Sequence, residues 1–285
     1  MLLVPANPLR PRLPDAHFAP EAHAAREAGI TVAVVDHDAL TRDDPHRAVA
    51  TVPAGGVAVY RGWMLRSHQY AAFAEALTTR GVSLRTDAEQ YRRAHELPGW
   101  YPSLAPVTPT STWTTGADRT AFDQARTRLG TGPAVLRDYT KSMKHHWNEA
   151  AFIPDLGDSA AAWRIATRFL ELRADDFTGG FVLRAFEHLT TAEVRTWWID
   201  GACALIGAHP DTPDDLPPTG LDLTTLTPLV AALGLPFVTV DLARRHDGTW
   251  RVIELGDGQV SDRPGTISPD DFVTTLLDRA SPALS

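Results

Sequence analysis

Short apolar runs closed by turn residues recur along the N-terminal part of this chain, with stretches of helical spacing between them. Leu2 to Val4 is a short apolar run, Pro20 to Gly29 has helical character, and Thr31 to Asp36 (TVAVVD) predicts a buried strand ending in an acid. Val57 to Leu65 (VAVYRGWML) predicts a third strand, running into Arg61, Gly62 and Trp63. Ser67 to Gly81 predicts a helix: a serine can cap it, Tyr70, Phe73 and Leu77 share one face, and glycine closes it. Val82 to Arg85 predicts a fourth strand, followed by a short helix around Tyr91 to Leu97. This is a βαβ succession. Its first connection, Ala6 to Pro20, is proline-rich and lacks the glycine fingerprint of dinucleotide-binding folds.

Prolines and glycine cluster from Pro98 to Pro109 (PGWYPSLAPVTP) without a visible period, which places a domain boundary there. Beyond it the pattern predicts a strand at Thr110 to Thr115, a helix from about Asp118 to Leu129 and a strand at Ala134 to Tyr139 (AVLRDY). An amphipathic helix follows at Ser159 to Arg173, then an apolar strand at Phe181 to Phe186 (FVLRAF), broken in character only by Arg184. Val194 to Ile199 and Cys203 to Ala208 form a hairpin across Asp200-Gly201, with Arg195 in its first strand. Leu221 to Leu233 predicts a helix capped by Gly234, and a second hairpin joins Phe237 to Leu242 with Trp250 to Leu255 across Asp247-Gly248. The last helix is expected from about Asp270 to Arg279.

Composition narrows the function. At 285 residues and 44% hydrophobic, the chain can bury one large or two modest cores, and two are expected. A net charge of -8 offers no basic field for nucleic acid or anionic lipid, so neither is an expected partner. The single cysteine, Cys203, excludes a disulfide framework or a cysteine-based zinc site within one chain. No apolar run suits a signal peptide or a membrane span, which predicts a cytoplasmic protein.

Arginine supplies nearly all the positive charge. The only lysines are Lys141 and Lys144, one helical turn apart if that stretch is helical. A compact ammonium on a flexible stem can follow a phosphate through a reaction, which a planar guanidinium fork resists. The pair is therefore a phosphate-site candidate; a solvated surface turn is the other reading.

The last hairpin places Asp241 on one strand, Glu254 on its partner and Asp257 just beyond. Carboxylates on adjacent antiparallel strands can point into one space, where oxygen ligands suit magnesium bound to nucleotide phosphates. Two lysines with Arg184 and Arg195 would neutralise a triphosphate. Plainer roles stay open: Asp241 as a strand-end cap, Glu254 as a cross-strand partner of Arg244 or Arg251, Asp257 as a turn residue in ELGDGQ. Arg61 and Trp63, at a strand end that faces the ligand crevice in open α/β sheets, are candidate substrate contacts; an arginine simply facing water is the alternative for Arg61.

The order of elements in the second half resembles the ATP-grasp superfamily: a lysine-bearing strand, an apolar strand leading to a hinge, an arginine-bearing hairpin, then a hairpin of acids. The closest resemblance is to a small, poorly characterised subgroup sharing strings such as YRGWML, HELPGWYP, DYTKSMKHHW, EVRTWW and IELGDGQVS, and it covers nearly the whole chain. It implies an α/β (α+β) fold, with a Rossmann-like pre-ATP-grasp domain over residues 1–100 and an ATP-grasp domain of two α+β subdomains over 101–285. It also implies ATP and Mg2+ as cofactors, with a small-molecule carboxylate and an amine, such as an amino acid or peptide, as substrates. The implied reaction phosphorylates the carboxylate, and the amine then attacks the acyl phosphate to give an amide. A phosphotransferase and a nucleotide-binding module without turnover are the alternatives.

By the same resemblance, Lys141, Lys144 and Arg195 would serve catalysis; Arg137, Lys141, Lys144 and Arg184 would hold phosphates, and Glu187 would meet the adenosine. Asp241, Glu254 and Asp257 would hold magnesium. Two departures stand out. Gly256 occupies the place where the superfamily pattern has asparagine, and Arg137 the place of its central-strand lysine. An anhydride must be kept from water, and the segment around His145, His146 and Trp147 could cover it; a histidine there could also act as base toward the amine, or be an ordinary loop residue. Most of the eight tryptophans are expected in packing. The ammonium pair and the three acids are expected to meet on one magnesium nucleotide.

Overall fold

The structure is a computed structural model that describes residues 1–278. Arg279, the expected end of the last helix, lies outside the described residues, and that helix is Pro269–Asp278 as described. The chain is mixed α/β and divides into two compact units: Met1–Ala94 with Ala192–Leu242 and the chain from Glu254 onward, and His95–Thr191 with Ala243–Ile253. Among the described residues, no helix is long and apolar enough to cross a membrane.

The first unit opens with strands Leu2–Asn7 (β1), Arg10–Pro14 (β2), Val32–Val35 (β3), Gly56–Tyr60 (β4) and Val82–Leu84 (β5). β1 pairs in parallel with β3 and β4, and β4 with β5. β2 lies antiparallel on the far end of β1, so the proline-rich connection holds a strand that its composition concealed. An edge position tolerates Pro11 and Pro14 because one side of the strand needs no ladder donors.

Residues of β1 alternate between two cores. Leu3 packs with Val35, Tyr60 and Phe73, while Leu2 and Val4 pack with Phe18, Trp197, Phe237 and Phe272. A strand covered on both faces reads as an unbroken apolar run, as Leu2 to Val4 does. Asp36, the acid that closes β3, caps the short helix His37–Thr41 by accepting the Ala39 N–H.

The second unit carries Ser111–Trp113 (β6), Ala134–Arg137 (β7), Phe152–Ile153 (β8) and Val182–Ala185 (β9), an antiparallel sheet in the order β6-β9-β7-β8. Helices Arg119–Leu129 and Ser159–Arg173, each capped by the aspartate before it, bury Phe122, Ala125, Ala166 and Phe169 against Leu136 and Phe181. The stretch read as an aperiodic boundary is in fact helical over Leu97–Leu104. Leu97, Trp100 and Leu104 are buried at spacings of one and two turns, and Pro98 in the first turn forfeits no intrahelical bond.

The first unit's second sheet has the order β11-β10-β12-β13, from strands Val194–Ile199 (β10), Ala202–Ala208 (β11), Phe237–Arg244 (β12) and Trp250–Asp257 (β13). Asp200 and Gly201 both take positive φ, at 49° and 79°, as the predicted tight turn requires. The expected helix before Gly234 is shorter than its pattern, Leu226–Ala231. The boundaries between the units fall inside β12 and β13.

Candidate active site

In the second unit the two lysines follow β7, and a buried acid sets their course. Asp138, fully buried, accepts the N–H groups of Thr140 and Lys141, each at 2.7 Å, through Oδ1. Its Oδ2 accepts from Arg173 Nε at 2.9 Å and from the Thr178 N–H at 3.2 Å. Arg137 stays buried and donates to the Thr140 carbonyl at 2.7 Å, and Ser142 returns to bridge Arg137. Lys141 therefore leaves an aspartate-fixed turn, and Lys144 begins a separate 3-10 turn, Lys144–His146. The two exposed ammonium stems do not share one helix. Asp138 was legible as an aspartate two residues before a threonine, a pattern that bends the backbone around its own carboxylate.

Beyond the lysines, Trp147 stacks on Phe152 at 5.4 Å, Phe152 meets Phe186 edge-on at 5.2 Å, and His188 closes the row at 4.8 Å from Phe186. His145 is exposed, while His146 faces Glu149 at 3.5 Å. Arg184, expected at a phosphate, is buried and donates to the Ile253 carbonyl at 2.6 Å and to Thr108 Oγ1 at 2.7 Å. Glu187, expected at the adenosine, forms a two-pronged ion pair with Arg251 at 2.8 and 2.9 Å. Arg251 also donates to the Thr108 carbonyl at 2.6 Å. Thr108 thus joins both pairs, a role that nothing in its sequence context announced.

In the first unit, Arg195 and Asp241 stand opposite each other on β10 and β12, linked by two hydrogen bonds of 2.8 Å. Arg195 Nη2 also lies 2.9 Å from His209 Nε2. Burial acts to raise the Asp241 pKa, but hydrogen bonds from Arg195 and His209 outweigh it and hold the carboxyl below its usual range. Burial likewise acts to lower the Arg195 pKa; the bonds and charge of Asp241, with the charges of Glu254 and Asp262, carry it upward instead. Arg195 and Asp241 are both ionised. Half-buried Glu254 on β13 sits within electrostatic reach of them.

Asp257 stands differently. Its carboxyl is fully buried, caps the turn Gly258–Val260 by accepting the Gln259 N–H at 2.8 Å, and leaves Oδ2 without a partner. Burial pushes its pKa up to about 7, against the hydrogen bonds of Gln259 and the charge of Arg61. A sealed carboxyl, largely neutral below that pH, does not suit a magnesium ligand, which corrects the expectation for this residue. Asp241 and Glu254 keep the chemistry of oxygen ligands. Glu193 and His209 offer further donors beside Asp241, all within 4.8 Å of one another.

Arg61 is a second correction. It is 1% exposed, pairs with Glu21 at 2.8 and 3.0 Å, and donates to the carbonyls of Gly258, Gln259 and Ser261 at 2.7, 2.9 and 2.9 Å. Every guanidinium nitrogen has an acceptor, so nothing remains for a substrate anion; the arginine moors the loop after β13 instead. Trp63, two residues on, remains 39% exposed and packs against Phe18 and His17.

A family profile that describes an ATP-grasp domain, clade family 3, matches residues 128–276. A search of curated protein sequences returns no match. Among solved structures, the fold is similar to a RimK-domain ATP-grasp protein from Sphaerobacter thermophilus DSM 20745, at TM-score 0.64 and 17% identity over 98% of each chain. It is similar to the D-cycloserine synthetase DcsG at TM-score 0.65 and 19% identity, over 98% of this chain and 99% of that one. The ATP-grasp ligase PsnB, solved with a minimal precursor, Mg and ADP, aligns at TM-score 0.57 and 13% identity over 98% of this chain and 97% of its own. With more than half its length matched by the profile and its strands arranged as in these structures, the chain belongs to the ATP-grasp family.

Proposed function

We propose that this protein is an ATP-dependent carboxylate-amine ligase that joins a small carboxylic acid to an amine through an acyl phosphate. The reading rests on family membership, and the observation that carries it is the ionised Arg195–Asp241 pair on adjacent strands, with Glu254 in electrostatic reach. Residues 1–100 are proposed as the Rossmann-like pre-ATP-grasp domain and 101–285 as the ATP-grasp domain.

A free carboxylate is a poor acyl donor because its leaving group would be oxide. Phosphorylation supplies a far better one. In that step Lys141 and Lys144 offer mobile ammonium groups to phosphate oxygens, on a turn that Asp138 holds in place. Arg195, oriented by Asp241 on one edge, stabilises charge on the transferring phosphoryl with the rest of its fork. Asp241 and Glu254 would hold magnesium, which supplies charge neutralisation on the phosphates when bound. Arg184 and Glu187 support this reading indirectly, by fixing the residues beside them through Thr108 and Arg251.

The enclosure of Asp257 favours a second reading, a nucleotide-binding module without turnover, since it removes one expected metal ligand. A screen of amino acids and dipeptides for those that accelerate ADP release, with mass spectrometry of the product, decides between the two. Amide formation supports the ligase. A stable phosphorylated product would indicate a phosphotransferase, and tight ATP binding with no acceptor-dependent ADP release would indicate the module.

A further inference from the structure

His17, Trp63 and Asp262 form a cluster on the first unit that the proposed phosphoryl chemistry does not use. His17 Nε2 lies 2.8 Å from Asp262 Oδ1. Its ring is set between two aromatic neighbours, Trp63 at 4.7 Å and Phe18 at 4.8 Å, and its backbone N–H donates to Asp15 Oδ1 at 2.9 Å. The imidazole is thus held at its backbone, on both sides and at one nitrogen. It is nonetheless open: His17 and Asp262 are each close to half exposed.

A neutral imidazole has one N–H. With Nε2–H donating to the Asp262 carboxylate, the lone pair of His17 lies on Nδ1, for which the structure gives no partner among the described residues. The charge around it is negative. Asp15 bonds the His17 backbone, Asp262 bonds its ring, and Asp262 is also among the charges that sustain the ionised state of Arg195. The exposed indole of Trp63 adds a face that attracts cations. Carboxylate, indole face and an imidazole lone pair together suit a primary ammonium and repel a second carboxylate.

Resting on the ligase reading, we propose that His17, Asp262 and Trp63 seat the acceptor amine, with His17 as its general base and Asp262 as the residue that positions His17. The ammonium gives one proton to His17 Nδ1, and the freed lone pair attacks the carbonyl carbon of the acyl phosphate. The C–N bond forms, the C–O bond to phosphate breaks with its electron pair leaving on phosphate, and the surplus proton on nitrogen departs with that phosphate. No redox partner is required.

The test has two arms, using the full chain with His17→Asn, Asp262→Asn and Trp63→Ala. In the first, glycinamide, an ammonium without a carboxylate, is titrated while the His17 ring resonance is followed by NMR. A saturable shift in wild type that weakens at least tenfold in Asp262→Asn and Trp63→Ala is expected; no shift in wild type overturns the amine seat. In the second, the proteinogenic amino acids are supplied with ATP, and amide formation is compared with hydroxamate formation on added hydroxylamine, which needs no base to deprotonate it. The amide-to-hydroxamate ratio should fall at least tenfold in His17→Asn, and an unchanged ratio overturns the role of His17. Absence of both products in wild type would count against the ligase reading, while the glycinamide shift still decides the amine seat.

Discussion

Arg195 and Asp241 face each other across two neighbouring strands and share a pair of 2.8 Å hydrogen bonds, at side-chain exposures of 13% and 5%. Removing one partner strands the other charge in a poorly solvated place, at a cost of about 3–5 kcal/mol. Asp241→Asn and Arg195→Met should therefore each lower the urea midpoint markedly. The double variant should lose much less than the sum of the two. Because the folded pKa of Asp241 lies below its unfolded value, its contribution is full above the ordinary carboxylate range and disappears as pH falls through the folded value. Wild type should lose stability on acidification, and Asp241→Asn should lose less of it.

Asp257 predicts the opposite slope. Its folded pKa of about 7 lies above its unfolded value, so between the ordinary carboxylate range and pH about 7 the unfolded chain gives up a proton that the folded one keeps. Stability should fall with rising pH across that window, by at most about 1.4 kcal/mol per pH unit, and level off above it. Asp257→Asn, which keeps an oxygen for the Gln259 N–H, should flatten this slope in denaturant titrations at stepped pH.

Arg61 and Glu21 form a second enclosed pair, at side-chain exposures of 1% and 6%. Arg61→Leu should cost about 3–5 kcal/mol, a large part of the ~5–15 kcal/mol available to a domain. It should also loosen the loop from Gly258 to Ser261, whose carbonyls it binds. Hydrogen exchange should show early loss of protection at the Gln259 amide. Unchanged stability would contradict the role assigned to this pair.

Lys144→Ala and Glu254→Gln should each abolish ADP formation while leaving the melting transition in place, since both side chains reach solvent. Asp138→Ala should instead release the turn that carries Lys141, raising exchange at the amides of Thr140 and Lys141 and lowering ADP formation. Full activity in all three variants would remove the phosphate and metal assignments.

Sequence alone determined the succession of elements. Helix Ser159–Arg173, the Asp200-Gly201 turn and the strands bearing Arg195, Asp241 and Glu254 follow from period, cap and turn chemistry, which are local properties. The helix Leu97–Leu104 and the strand Arg10–Pro14 were obscured by proline, whose effect depends on whether a ladder or helix bond is needed at that position. What each charge does was settled in three dimensions. Arg61, Arg184 and Arg195 look alike in a strand, yet neighbours distant in sequence occupy the first with Glu21, the second with Thr108 and Ile253, and the third with Asp241. Asp257 and Glu254 lie three positions apart, and only the packing around them made one a sealed, nearly neutral cap and left the other open to solvent. Burial and partnership arise from contacts between remote segments, so no local pattern can encode them.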